Sequence, residues 1–257
     1  MYLFDNYDKI SRRKWGIYMV VLVTGSSRGI GAATIKEFAK NGYDVVINYN
    51  NSLQDALKLQ DDIKDYNVRS LILKCDVSKE DDLKDMVDTI MEEFGSIDVL
   101  VNNAAIAIDT TFEDKTISNF RRTLDVNLIG PFVLSRLVGD IMYKNKNGTI
   151  INISSTNGID TNYPESIDYD ASKAALISLT HNLAKQYSPY VRVNAICPGW
   201  VNTDMNKDLT IGFIEEEKTK ILLNRFGEAD EIAKAIYNIS QCTYINDSII
   251  RVDGGEK

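Results

Sequence analysis

Tyr169 and Lys173 stand four residues apart in the run Tyr169-Asp170-Ala171-Ser172-Lys173. On a helix that spacing places both side chains on one face. A phenol there can give a proton to an oxygen. A neighbouring ammonium favours the phenolate and draws the phenol pKa down from about 10 toward working pH. The chemistry on offer is moving a proton on or off an alcohol or carbonyl oxygen. Tyr and Lys are common residues, so the pair alone reads equally as a solvated helix face. His181 is the single histidine of the chain. It leaves Ser-His-Asp chemistry one candidate base with no nucleophile elbow in the sequence, and it reads as a helix-surface residue.

The second feature is Thr24-Gly25-Ser26-Ser27-Arg28-Gly29-Ile30-Gly31. An apolar run, residues 19–23, precedes it and reads as a buried parallel strand. The amphipathic stretch 32–40 follows, closed by Asn41-Gly42. Strand, glycine turn and helix in that order is the context a dinucleotide-binding turn requires. Glycines let backbone approach a pyrophosphate at a helix N-terminus, where free N–H groups and the dipole favour an anion. The spacing is Gly-x-x-x-Gly-x-Gly, and a tight turn with no ligand is the alternative.

Elements able to position these groups recur along the chain. Strand-like runs fall at 20–23, 44–48, 70–75, 99–101, 148–153, 191–196 and 248–252. Helix-like stretches separate them, among them 53–66 and 80–94, the latter with Ser78 as a candidate N-cap. Strands alternating with helices predict an α/β chain, a single-domain doubly wound parallel sheet with helices on both faces. Ligands in such sheets sit at the carboxyl ends of the strands, where these motifs fall.

Thr24 to Gly31, Asn102-Asn103-Ala104-Ala105, Asn127, Ser155, Tyr169 with Lys173, and Pro198-Gly199 stand in the order seen in the short-chain dehydrogenases/reductases. The chain resembles that family from Val20 to Val252-Asp253-Gly254-Gly255, and within it the 3-oxoacyl-[acyl-carrier-protein] reductase group most. The resemblance implies a Rossmann fold and a catalytic tetrad of Asn127, Ser155, Tyr169 and Lys173. Ser155 would bind the substrate oxygen, with Ser154 its neighbouring rival. Tyr169 would give the proton. Lys173 would lower the phenol pKa and hold ribose hydroxyls, and Asn127 would hold a water; without the family Asn127 reads as a helix-surface amide. The implied cofactor contacts are Gly25, Ser27, Arg28, Gly29, Ile30 and Gly31 in the turn, then Asn48, Tyr49 and Asn50. Further on they are Asp76 and Val77, Asn103 and Ala104, Tyr169 and Lys173, and Pro198, Gly199, Val201 and Thr203. Asn102 would brace the sheet.

Charge favours NADP over NAD. An NAD site wants a carboxylate about 20 residues past the turn, and residues 47–52 offer none. Arg28 can pair with a 2′-phosphate, or be a solvated turn residue. Departures from the family pattern are Ala105 for a glycine, the missing proline near Ala229, and an interval from Ser155 to Tyr169 about one residue longer than usual. That interval, 158–167, would shape the substrate mouth, and residues 204–226 would form a substrate lid or a helix packed on its own core. The resemblance implies reduction of 3-oxoacyl groups on an acyl carrier protein in fatty acid biosynthesis. A sugar, polyol or small ketone is the alternative substrate, and a silent NADP-binding regulator the alternative function. Lys146 and Lys185 are candidates for a basic docking patch near the entrance, or ordinary surface lysines. A homotetramer is expected from the family.

The chain has 257 residues, with 37 acidic and 29 basic side chains and a net charge of −8. That suits one sizeable core and argues against a nucleic-acid footprint. No uncharged apolar run approaches the ~18 residues that cross a bilayer, so no membrane partner is expected. Three cysteines, Cys75, Cys197 and Cys242, lack metal or redox spacing; they read as buried thiols of a reducing, cytoplasmic compartment with no metal site. Residues 1–18 carry no apolar signal core and read as a poorly ordered N-terminal extension, with Met19 a candidate start.

Overall fold

Val20-Val21-Leu22-Val23 has no polar side chain to offer water, and both of its faces are covered. In a computed structural model, which describes residues 18–256, this stretch is strand β1 (Val20–Val23) and is fully buried. Residues 1–17 of the expected extension lie outside the described residues. β2 (Asp44–Tyr49), β3 (Ser70–Lys74), β4 (Val99–Asn102), β5 (Gly148–Ile153) and β6 (Val191–Pro198) follow. β7 (Val201–Asn202) and β8 (Gly227–Glu228) form a separate two-stranded pair, and β9 (Ile249–Val252) closes the series. The main sheet has seven strands in the order β3-β2-β1-β4-β5-β6-β9. Every pairing is parallel. The order reverses between β1 and β4, which opens a crevice at their carboxyl ends.

The helices are α1 (Gly29–Lys40), α2 (Leu53–Asp62), α3 (Glu80–Phe94), α4 (Ile117–Leu124), α5 (Gly130–Lys144), α6 (Ile167–Tyr187), α7 (Ile211–Lys220) and α8 (Ala229–Gln241). Alternate residues of β1 face opposite cores. Val20 and Leu22 pack with Leu83, Ile90, Leu134 and Val138 of α3 and α5. Val21 and Val23 pack with Ile35, Phe38, Leu59 and Ile236 of α1, α2 and α8. Helices therefore cover both faces, as the alternation of elements predicts.

Several local readings shift. The helix expected over 53–66 ends at Asp62 and continues as a 3₁₀ turn, Lys64–Tyr66. Ser78 does not cap α3; Lys79 occupies that position, and the Ser78 hydroxyl donates to Asp76 Oδ1 at 2.7 Å. α8 lacks the proline, yet a reciprocal Glu228–Glu231 capping box secures its start, and Arg225 pairs with Glu231 at 2.7 Å. α4 and α5 join through a π-helical turn, Asp125–Ile129. The joined helix Ile117–Lys144 is long and apolar enough to cross a membrane by length and composition, and 56% of its most apolar window is buried inside the fold. It is a core helix. Cys75 and Cys197 are buried, but Cys242 is exposed just past α8, against the expectation that all three lie inside. His181 is on the surface as expected, 2.6 Å from Asp247 Oδ1.

Candidate active site

The glycine turn begins where β1 ends. Gly25 and Gly29 adopt φ of +60° and +57°, the left-handed region that L side chains rarely enter. A Cβ on Gly31 would stand 2.7 Å from the Gly25 carbonyl oxygen and from Asn103 Nδ2. The turn is therefore as tight as backbone allows. Arg28 occupies the cap position of α1 with no side-chain capping bond, so the first N–H groups of the helix are left for an anion.

One cavity of about 1020 Å³ runs along the carboxyl ends of the strands. Gly25, Ser27, Arg28, Gly29 and Ile30 line it, as do Asn48 to Asn50, Asp76, Val77, Asn103 and Ala104. At its other end stand Ser155, Tyr169, Lys173, Pro198, Gly199, Val201 and Thr203. Two expected site residues are not on its wall. Gly31 is buried beneath the turn, and Asn127 lies behind the cavity at 1% exposure.

Two asparagines expected to touch cofactor are braces in this fold. Asn48 accepts from the Gly25 N–H at 2.9 Å and donates to the Cys75 carbonyl at 3.2 Å. Asn103 Nδ2 donates to the carbonyls of Thr24 and Gly25 at 2.9 and 3.1 Å. Their side-chain amides hold the turn in place; both residues line the cavity, and among the described residues no hydrogen bond engages the Asn103 side-chain oxygen. Asn102 braces the sheet as expected, donating to Ser135 Oγ and Asn152 Oδ1 at 2.9 and 2.8 Å.

Tyr169 and Lys173 lie one turn apart near the start of α6, where the four-residue spacing predicts a shared face. Lys173 is 2% exposed and donates to the Ile153 carbonyl at the end of β5, at 2.7 Å. An ammonium has three protons, so two remain for other acceptors. Burial depresses its pKa to about 8. Burial also raises the Tyr169 phenol to about 12, against the opposing hydrogen bond of Ser155. This corrects the expectation that the ammonium draws the phenol down. Within the chain, desolvation of the phenolate is the largest cause, and the group that lowers the phenol is Ser155, not Lys173.

Ser155 follows β5, and its hydroxyl donates to Asn157 Oδ1 at 3.1 Å. Ser154, its rival, donates to the Lys173 carbonyl at 2.8 Å and is spent on fixing α6. Asn127 sits in the π-turn. Its amide donates to the Ile106 carbonyl and Ser172 Oγ at 2.9 and 3.0 Å, and its oxygen accepts from the Ile106 N–H at 2.9 Å. It is a buried staple, not a helix-surface amide. A water could reach only the second lone pair of its side-chain oxygen or its backbone carbonyl.

The segment 158–167 is organised by Asp170, which accepts from Asn157 Nδ2 at 2.7 Å, Ser166 Oγ at 2.9 Å and the Tyr163 N–H at 3.0 Å. Tyr163, Trp200 and Phe213 form an aromatic wall, with Trp200 edge-on to the other two at 5.8 and 5.5 Å. Behind it Glu217, 1% exposed, accepts from Tyr163 Oη at 2.8 Å, Trp200 Nε1 at 3.2 Å and Lys220 Nζ at 2.6 Å. Nothing local in the sequence marks Glu217 as buried, because its partners come from segments up to 54 residues away. Lys146 and Lys185 are both exposed, but neither is near this site. Lys146 follows α5 at the amino-terminal end of β5, and Lys185 lies 16 residues beyond Tyr169 on α6, about 24 Å along the axis.

A family model described as short chain dehydrogenase matches residues 19–212. The chain belongs to the short-chain dehydrogenase/reductase family. It is 35% identical over 237 residues to a 3-oxoacyl-[acyl-carrier-protein] reductase of Staphylococcus epidermidis, covering 91% of this chain and 97% of that protein. It is 36% identical over 240 residues to the 3-oxoacyl-[acyl-carrier-protein] reductase of Synechocystis sp., covering 92% and 96%. Among solved structures, levodione reductase superposes with a TM-score of 0.86 at 29% identity over 92% of this chain and 96% of that one. A Serratia marcescens short-chain dehydrogenase/reductase mutant superposes at 0.87 with 31% identity over 93% and 98%. The chain is an oxidoreductase of this family, and the family implies a nicotinamide cofactor.

Proposed function

We propose that this chain is an NADP-dependent reductase that converts the 3-oxo group of an acyl thioester, carried on an acyl carrier protein, to the alcohol. The observation that carries the reading is the convergence of Ser155, Tyr169 and Lys173 in one cavity with the glycine turn, in a chain 35–36% identical to 3-oxoacyl-[acyl-carrier-protein] reductases over nine-tenths of its length. The left-handed glycines, the free start of α1 and the cavity fit a dinucleotide. When bound, it supplies the hydride. Tyr169, with its phenol raised to about 12, keeps its proton at neutral pH and is the general acid toward the nascent alkoxide. The Ser155 hydroxyl holds the substrate oxygen. The Lys173 ammonium stabilises the phenolate as the proton leaves, and its remaining protons suit ribose hydroxyls. Asn127 keeps this end of the cavity in register through Ile106 and Ser172.

Support for NADP is electrostatic. Arg28 lines the cavity beside the turn, and no carboxylate stands at the end of β2. Support for a homotetramer in the cytoplasm comes from apolar side chains left in water beside α4 and α5, with Ile117 72% and Phe112 63% exposed, and from two buried unpaired thiols. A small ketone is the second reading. It is favoured by Asp109 and Glu165 on the cavity wall, whose charges repel an acidic carrier. A silent regulator has no use for the assembled acid and lysine. Oxidation of NADPH by acetoacetyl thioester, followed at 340 nm beside NADH and beside sugars and simple ketones, tests these readings. Turnover only with ketones removes the thioester assignment, and binding without turnover removes the enzyme.

A further inference from the structure

Beside the proposed acid lies a buried ion pair with no role in the chemistry described so far. Lys115 Nζ and Asp168 Oδ1 are 2.8 Å apart, with side chains 5% and 0% exposed. Thr123 donates to the other carboxylate oxygen at 2.7 Å, and Lys115 also donates to the Ile108 carbonyl. Burial opposes ionisation of Asp168, but the Lys115 and Thr123 hydrogen bonds prevail and hold its carboxyl below the usual range.

We infer that Lys115 and Asp168 are positioning residues for Tyr169: their buried pair fixes the first turn of α6 against the loop that walls the cavity after β4. Three observations carry this. Asp168 is the residue immediately before Tyr169, so its Cα is about 3.8 Å from that of the acid, and any shift of one moves the other. Lys115 reaches Asp168 across 53 residues of sequence and also bonds Ile108, which belongs to the loop whose Ala104 to Ala107 face the cavity. Asn127 makes a second tie of the same kind, from Ile106 of that loop to Ser172 of α6. Two separate staples thus join the same loop to the helix on either side of Tyr169.

A buried pair is a poor way to gain stability. Desolvating both ions costs much of what their attraction returns, and an apolar pair of similar volume is often as stable or more so. What the pair supplies is a fixed direction: an ammonium with three donors, aimed at one carboxylate oxygen and one carbonyl, admits few arrangements. A misplacement of about 1 Å at a reacting group can slow a reaction about 10²-fold.

The inference rests on Tyr169 being the acid, and the test separates the two. The variants are K115M, D168N, the apolar double K115M/D168L, and Y169F as control. Turnover with NADPH and acetoacetyl thioester, NADPH affinity by fluorescence and Tm are measured for each, at a temperature where circular dichroism shows the variant folded. K115M should lose about 10²-fold in kcat and several degrees of Tm while NADPH affinity stays near wild type. The double variant should recover Tm, because no unpaired charge remains, yet keep the loss in kcat. A purely structural pair would let kcat return together with Tm, and that result overturns the proposal. D168N, which keeps the shape and removes the charge, decides independently: wild-type kcat there overturns it whatever the double variant does. A Y169F enzyme with wild-type turnover sinks the acid assignment instead, whereas a slow Y169F beside a fast K115M/D168L sinks the positioning role alone.

Discussion

The ammonium of Lys173 lies 5.3 Å from the centroid of the Tyr169 ring, yet its 2.7 Å hydrogen bond goes to the Ile153 carbonyl. The end of β5, not the phenol, holds the charge where a phenolate would need it. Burial puts the lysine near 8 and the tyrosine near 12, so on raising the pH the lysine loses its proton first. Reductive kcat/KM should fall as pH rises through about 8, and K173M should be slow with that limb gone. A limb near 10 instead would contradict the assignment. Linkage gives a second check. The folded pKa is depressed from 10.5, so the buried charge costs stability at neutral pH and the cost is relieved between about pH 8 and 10.5. K173M should therefore gain more in Tm over wild type at pH 7 than at pH 10.

Tyr169→Phe removes the proton and little else. Turnover should drop about 10²-fold or more, because general-acid catalysis supplies 10²–10⁴, while NADPH binding measured by fluorescence stays near wild type.

Arg28→Ala tests cofactor choice. The guanidinium lines the cavity at the start of α1 and is exposed. Its loss should weaken NADPH about tenfold, the low end for a charge-assisted bond of about 1.5–3 kcal/mol, and leave NADH untouched. Equal weakening of both, read by titration at fixed salt, would remove the specificity argument.

A carrier protein is acidic, and the cations able to greet it at this mouth are not those the sequence suggested. Lys207 lines the cavity in an exposed position, while Lys146 and Lys185 stand at the far end of the sheet. Lys207→Glu should raise KM for carrier-bound substrate at low salt and spare small thioesters, with the difference shrinking as salt screens the charge over about 8–10 Å. Lys146→Glu and Lys185→Glu should change neither. Steady-state kinetics at two salt concentrations read all three, and a dominant effect of Lys185→Glu would reverse this placement.

Glu217→Leu deprives Tyr163 and Trp200 of their common acceptor. Leaving two donors without a partner should cost about 2 kcal/mol or more, which in a chain of this size lowers Tm by roughly 4–8 °C. An unchanged Tm would show that both donors find water at once.

The sheet was legible in the sequence because its central strands are largely short apolar runs, and such runs have one comfortable place, inside; the edge strands β3 and β9 are half-buried. The glycine turn and the Tyr169–Lys173 pair were legible because their spacing is local. What escaped was made by distance along the chain. Asp168 reads as an ordinary acid favouring a helix start, and only the fold brings Lys115 to it. Asn48 and Asn103 sit at the expected positions, but their amide nitrogens are taken by backbone carbonyls, and sequence does not say which of two hungry acceptors wins. The phenol pKa went the other way for a similar reason: spacing shows the lysine, not the depth of the pocket around both.

The π-turn at Asp125–Ile129 closes with the Gly130 N–H bonded to the Asp125 carbonyl, so the rod from Ile117 to Lys144 carries one residue more than a regular helix needs there. The bulge absorbs that residue and leaves α4 and α5 in register. Deleting one residue there would let the ladder close as an ordinary helix and take Asn127 from the bulge that aims it at Ile106 and Ser172. Length in this stretch is therefore constrained together with Asn127 and Val126, both buried: homologous chains should vary at the exposed Asp125 and Ile129 and hardly at all in the number of residues between Leu124 and Gly130.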